Sequence, residues 1–347
     1  MAPTDLTHVT KNQSRDGEEA SEEDNLSQDC KDLILSLPKE KGFSILQISP
    51  YLYLFQGFWF SSAFIQTINI IQKHFQAKDS DVVVATIPKS GTTWLKALTF
   101  AIINRHRFSS SQNHPLLTSN PHDLVPVFEH TVYGDAHNQV PNLSNMIEPR
   151  LFGTHIPFPL LAKSIKESKC RIIYICRNPF DTFVSLWIFL NAINVGPQFA
   201  LTLEEAFEMY CNGLVDFGPS WNQMLGYWNE SIARPHKVLF LKYEDLKQDV
   251  NFHVKRVAEF LGCPFTQDEE NSGVIENIIK LCSFEKMKEL EVNNSGATGT
   301  NIWKKHLFRK AEVGDWVNYL SPSMVEKLSK IMEEKLSGSG LSFTMNS

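Results

Sequence analysis

No apolar run in this 347-residue chain approaches the roughly 20 residues of a bilayer-spanning helix, so nothing reads as a membrane segment. Cysteine is sparse and scattered: Cys30, Cys170, Cys176, Cys211, Cys263 and Cys282 form no C-x-x-C pair and no zinc spacing. That pattern argues against a disulfide scaffold or a zinc ribbon, and for free thiols in a reducing compartment. A basic excess is also missing. Thirty-three Lys and Arg stand against 39 Asp and Glu, and the formal net charge of −6 disfavours a polynucleotide partner. The N-terminal stretch has neither an apolar h-region nor an Arg-rich amphipathic segment, so cytoplasm is the expected location. No linker, low-complexity tract or internal repeat follows it, which points to one domain.

What is present is an ordinary globular composition, 42% hydrophobic and 21% charged. The run from Asp16 to Asp24 is acidic and almost devoid of apolar side chains, so residues 1–40 are expected to form a disordered tail and 41–347 the domain. Three β-rich apolar runs, 82–86, 171–176 and 237–241, read as buried parallel strands, and 150–154 as a weaker fourth. Helical patterns lie between and after them, at Thr93 to Asn104, Pro179 to Ile193, Leu203 to Asn212, Ser220 to Ser231 and Glu244 to Leu261. Pro179 suits a first helical turn, and Thr202 with Glu205 has capping-box spacing. Alternating strand and helix predicts an α/β fold with a central parallel sheet flanked by helices. Ligands of such sheets bind at the carboxyl ends of the strands, so the chemistry is expected just after each one.

The first strand runs into Pro88-Lys89-Ser90-Gly91-Thr92-Thr93-Trp94 and then a helix, an arrangement that makes an anion site from free N–H groups and a helix dipole. It is not a Walker A loop, because no glycine precedes the lysine and the lysine comes before Gly91. Arg177 ends the strand 171–176, with Ser185 two turns along the following helix; arginine there is suited to clamping a phosphate. The strand 237–241 ends in Lys242 and Tyr243 where a Walker B reading would need an aspartate, which weakens a kinase or NTPase reading. Glu244 and Asp245 suit a helix start. Arg309 and Lys310 form a basic pair in a glycine-bearing loop, and His155 directly follows the fourth strand.

These motifs, in this order over about residues 50–340, resemble the cytosolic sulfotransferases that use 3′-phosphoadenosine 5′-phosphosulfate (PAPS), and their texture is closest to the plant branch. The resemblance implies that Lys89, Ser90, Gly91, Thr92, Thr93 and Trp94 form a P-loop-like 5′-phosphosulfate loop, with Trp94 facing the purine. It implies Arg177 and Ser185 at the 3′-phosphate, joined by Arg309, Lys310 and Ala311, and Tyr243, Ser283 and Phe284 along the adenine. His155 would be the general base and Lys89 the stabiliser of the leaving oxygen, without a metal. Two positions depart from the family: Ala311 replaces a glycine, and Gly153 stands where a lysine is frequent, removing one cation from the acceptor side. The acceptor is expected to be a small hydroxylated, planar or apolar metabolite walled by Trp59, Phe60, Phe128, His130 and Tyr133. Of the family's C-terminal dimer motif only Glu326 survives, so a monomer is expected.

Overall fold

The computed structural model describes residues 26–46, 49–108, 113–134, 140–193, 200–298 and 303–343. Four parallel strands form the central sheet: β4 (Val82–Thr86), β5 (Leu151–Thr154), β6 (Arg171–Cys176) and β7 (Val238–Lys242), in the order β5-β4-β6-β7. Val84 pairs with Gly153 on one side and Ile173 on the other, and Ile173 pairs with Leu239. All but the ends of these strands are buried, because helices cover both faces and leave no solvent side for polar residues. The chain leaves β4 toward β5, then crosses back to β6 on the opposite side. The carboxyl end of β4 is therefore the switch point, where the connections part and open a crevice.

Helices begin where the caps allow. Gly91 is the left-handed N-cap of helix Thr92–Asn104, and Thr202 with Glu205 forms the capping box of helix Leu203–Cys211. The helix expected from Glu244 to Leu261 is instead two, Tyr243–Gln248 and Val250–Phe260. Asp249 interrupts them: its side chain accepts from Phe252 N at 2.9 Å and caps the second helix. Ahead of β4 and β5, Asp81 and Arg150 meet in a buried two-pronged pair (2.7 and 2.5 Å) that ties the two strand starts together. Five of the six cysteines are buried and Cys263 is half-buried; all are free thiols.

A second sheet is antiparallel: β1 (Lys39–Lys41), β2 (Tyr51–Phe55) and β3 (Phe58–Phe60). Gln56 and Gly57, both at positive φ (49° and 86°), form the two-residue turn between β2 and β3. The expected tail boundary at residue 40 needs correction. Helix Gln28–Leu35, capped by Ser27, buries Cys30 and Ile34 in the core, and β1 begins at Lys39. The acidic run 16–24 lies outside the described residues.

Asp216, fully buried, fastens this N-terminal layer to the domain. Its carboxylate accepts from Ile45 N at 2.6 Å and Ser61 N at 2.8 Å. Asp216→Ala would leave two buried N–H groups without acceptors and is expected to destabilise the fold by about 2–4 kcal/mol. Denaturant titration checks this, with Asp216→Asn, which keeps one acceptor, falling between the two.

Candidate active site

The loop after β4 is built for an anion. Lys89 and Gly91 both take positive φ (71° and 102°), which folds the loop back over the first turn of helix Thr92–Asn104 and gathers its free N–H groups. Glycine at 91 has a steric reason too, since a Cβ there would lie 2.8 Å from the Tyr243 ring. The Ser90 hydroxyl is buried without a hydrogen-bond partner. Burial first, then repulsion from Arg309 and Arg177, lowers the Lys89 ammonium to about 7. The ammonium rests 3.9 Å above the Phe189 ring. Three cations held this close, with no carboxylate against Lys89 among the described residues, call for an anion between them.

Arg177, at the end of β6, is buried, and its Nε has no partner. Its NH2 donates to the Glu312 carbonyl and lies 3.3 Å from Asp181, while its face stacks 4.7 Å from the Tyr243 ring centroid. Asp181, fully buried one helical turn on, accepts from Gly314 N (2.8 Å) and Trp316 N (3.1 Å), pinning the C-terminal loop. In that loop Asp315 holds Arg309 and Lys310. Ala311 sits at φ 56°, the left-handed region costly to any residue with a Cβ. The Tyr243 hydroxyl donates to the Ala311 carbonyl at 3.1 Å and steadies the turn.

On the other side of the switch point His155 follows β5. Its Nδ1 lies 2.9 Å from the Thr86 carbonyl oxygen, which can only accept, so Nδ1 carries the proton and Nε2 keeps its lone pair. Burial is the main cause of the imidazole's shift from 6.5 to about 4. Buried Glu129 orients the turn, accepting from His155 N at 2.5 Å and the Thr154 hydroxyl at 2.9 Å. Burial raises this carboxyl to about 7. Thr86 Oγ1 bridges His155 Nδ1 (3.0 Å) and Thr92 Oγ1 (2.8 Å), so imidazole and loop share one side chain.

Both halves open into one cavity of about 350 Å³. Lys89, Gly91, Thr92, Thr93, Trp94, His155, Arg177, Ser185, Tyr243, Ser283, Phe284, Arg309 and Ala311 all line it. The Trp94 and Tyr243 rings meet edge to face at 5.6 Å. Two expected donor ligands stand apart: Ser90 lies beneath the loop, and Lys310 spends its ammonium on Asp315. Of the five residues expected to wall the acceptor, only His130 reaches the cavity. Phe60, Phe128 and Tyr133 are almost wholly buried in the core, where Phe128 stacks on Phe152 at 4.6 Å, and Trp59 pairs with Gly218 at the sheet edge. Ile45, Val127 and Phe189 are among the apolar side chains that do line the cavity.

Sequence reasoning missed His122, Lys96 and Glu129, whose partners are far apart in the chain. Gly153 has a packing role that the sequence did not show. A Cβ there would lie 2.5 Å from Lys96 Cε and 2.8 Å from its Nζ, so the glycine makes room for a cation delivered by another element. The structure also gathers Glu129, His130 and His155, with ligand-type atoms within 4.8 Å of one another, a cluster the sequence did not reveal. Both Glu129 oxygens are already engaged by Thr154 and His155 N.

Residues 79–340 match the sulfotransferase domain family. The chain is 53% identical over 344 residues to cytosolic sulfotransferase 15 of Arabidopsis thaliana, covering 98% of this chain and 94% of that one. It is similar to the crystal structure of an Arabidopsis thaliana putative steroid sulphotransferase, with 44% identity, a TM-score of 0.70, and coverage of 90% and 94%. A mouse sulfotransferase complexed with PAP shares the fold at 24% identity and a TM-score of 0.62, over 83% of this chain and 96% of that one.

Relieving the strained turn is expected to stabilise the protein. Ala311→Gly should raise its stability by about 0.5–1 kcal/mol, the left-handed penalty less glycine's added chain entropy. Calorimetric or denaturant unfolding of the two forms measures it, and a lower midpoint for the variant would contradict the turn's assignment as strained.

Proposed function

Because this chain belongs to the sulfotransferase family, we propose that its cavity takes PAPS as co-substrate and moves the sulfuryl group onto a hydroxyl of a small apolar acceptor, with His155 as the base. One observation carries this reading: the unprotonated Nε2 of His155 and the cations Lys89, Arg177 and Arg309 belong to the same cavity. The unpartnered Arg177 Nε, with the mutual repulsion around Lys89, fits an anion with a charged group at each end.

In this scheme the acceptor oxygen attacks sulfur while its proton passes to His155 Nε2. The bond from sulfur to the bridging phosphate oxygen breaks, yielding a sulfate ester and adenosine 3′,5′-bisphosphate (PAP). Lys89 and the loop N–H groups stabilise charge gathering on the leaving oxygen, and positioning with electrostatics supplies the rate. Arg177, Ser185 and Arg309 hold the 3′-phosphate, and Trp94, Tyr243, Ser283 and Phe284 bound the adenine. No step requires a divalent metal. Ile45, Val127, Phe189 and neutral His130 favour an apolar acceptor body. The relatives are cytosolic sulfotransferases by name, and no helix among the described residues is long and apolar enough to cross a membrane.

His155→Ala is expected to keep PAP affinity within about twofold and to lose transfer by about 10²–10⁴-fold, measured with radiolabelled sulfur in the donor across a panel of hydroxylated metabolites. Equal loss of both, or ADP with Mg²⁺ binding as well as PAP, would contradict the scheme. The acid limb of kcat/KM should follow protonation of the base. Neutral imidazole is the active form, so activity should persist below 6.5 and fall as pH drops through about 4. Anion binding must raise the Lys89 proton affinity. Above about 7, PAP binding should therefore take up a proton, seen by calorimetry in buffers of differing ionisation enthalpy.

A further inference from the structure

Lys96 is fully buried in the second turn of helix Thr92–Asn104, yet its stem reaches over Gly153 to a polar end. There Nζ lies 3.2 Å from His122 Nδ1, and His122 Nε2 lies 3.0 Å from Thr93 Oγ1. His122 is itself built into place. It sits in the turn Pro121–Leu124, its N–H held by Asn120 Oδ1 at 2.9 Å, and Asn120 is fixed by Asn293 at 2.8 Å. Burial leads the causes that hold this imidazole well below 6.5, so it is neutral and has one proton to give. Burial lowers the Lys96 ammonium to about 7, with Glu129 and Asp123 pulling the other way, so below that pH Nζ is an ammonium and can only donate. Its partner Nδ1 must accept, and the ring proton then sits on Nε2 and points at Thr93. With its oxygen accepting from the ring, the Thr93 hydroxyl has a hydrogen left over, and no other partner for it exists among the described residues. Thr93 lines the cavity beside Lys89.

We propose that Lys96 and His122 are positioning residues for the transfer: together they set the direction of the hydrogen-bond chain so that Thr93 presents a proton to the anion in the phosphate loop. This rests on the sulfotransferase reading above. It also explains Gly153. The backbone there is not left-handed, so glycine is present to let the Lys96 stem pass, and the ammonium arrives from the helix instead of from β5. The opposite direction, with Thr93 donating into the ring and Nδ1–H donating to lysine, would require a neutral Lys96 and would turn the hydroxyl's lone pairs toward an anion.

Two measurements test it. Histidine ¹⁵N shifts of the free protein read the His122 tautomer without any reaction. Nε2–H is expected in the parent chain at pH 6, where Lys96 is protonated, and Nδ1–H there would overturn the proposal; the kinetics are taken at the same pH. Steady-state kinetics with PAPS then read the consequence. Thr93→Val is expected to lower kcat/KM for the donor by about 10–100-fold, as for a lost hydrogen bond to a charged group. Lys96→Met should lower it about tenfold, and adding it to Thr93→Val should change the result by less than about twofold. A purely structural role would instead multiply the two losses, which overturns the proposal, as would parent-like kinetics in Lys96→Met. Unfolding midpoints are taken for each variant. His122→Gln, whose amide can accept at one end and donate at the other, should keep most of the rate that His122→Phe loses, even where Lys96→Met folds poorly. A parent protein that neither binds PAP nor transfers sulfate, yet shows the Nε2–H tautomer, would sink the sulfotransferase reading and leave the chain's direction standing.

Discussion

The buried carboxylate of Asp181 holds the cationic side of the cavity together. It accepts from Gly314 N and Trp316 N, more than 130 residues further along the chain, and lies beside Arg177. Without it the C-terminal loop would have no fixed seat on helix Pro179–Ile193, and Arg309 would not share a cavity with Arg177 and Lys89. Burying a carboxylate is costly unless its oxygens are hydrogen-bonded. Two backbone donors and a guanidinium meet that demand. A second acid, Asp315, repeats the arrangement by gripping Arg309 and Lys310. Among the described residues, Arg177 and Arg309 are thus each tethered from behind by a carboxylate while Lys89 is not, and an anion entering the space between them finds the two guanidiniums already placed.

The sheet and the donor loop were legible in the sequence for a common reason. Parallel strands buried on both faces must be apolar along their length, so 82–86 and 171–176 stand out, and anion chemistry needs Lys, Ser, Gly and Thr within one turn. The fourth strand was faint because it is short and carries Gly153. The hairpin of β2 and β3 was hidden because Gln56-Gly57 is a weaker turn signal than Asn-Gly, and the flanking aromatics do not alternate with polar residues. The acceptor wall was not legible at all. Phe60, Phe128 and Tyr133 carry no local mark that separates a core aromatic from a pocket aromatic, and Ile45 and Val127 reach the cavity only through tertiary contacts.

The same limit explains the buried polar groups that were overlooked. Lys96 meets His122 across 26 positions, and His155 N meets Glu129 across another 26, so no motif window contains either pair. Sequence spacing shows at Gly153 only the side chain that the strand lacks. The space that a side chain vacates can be entered from a different element, and here a helix enters it.

Thr86, the last residue of β4, touches both the hydroxyl of Thr92 and the imidazole of His155. Any shift of this strand end displaces the donor cradle and the proton acceptor together. Under the proposed scheme a change of acceptor that spares this pivot would fall to cavity-lining side chains such as Ile45, Val127 and Phe189. New selectivities would arise there one side chain at a time, each inheriting an intact reaction centre.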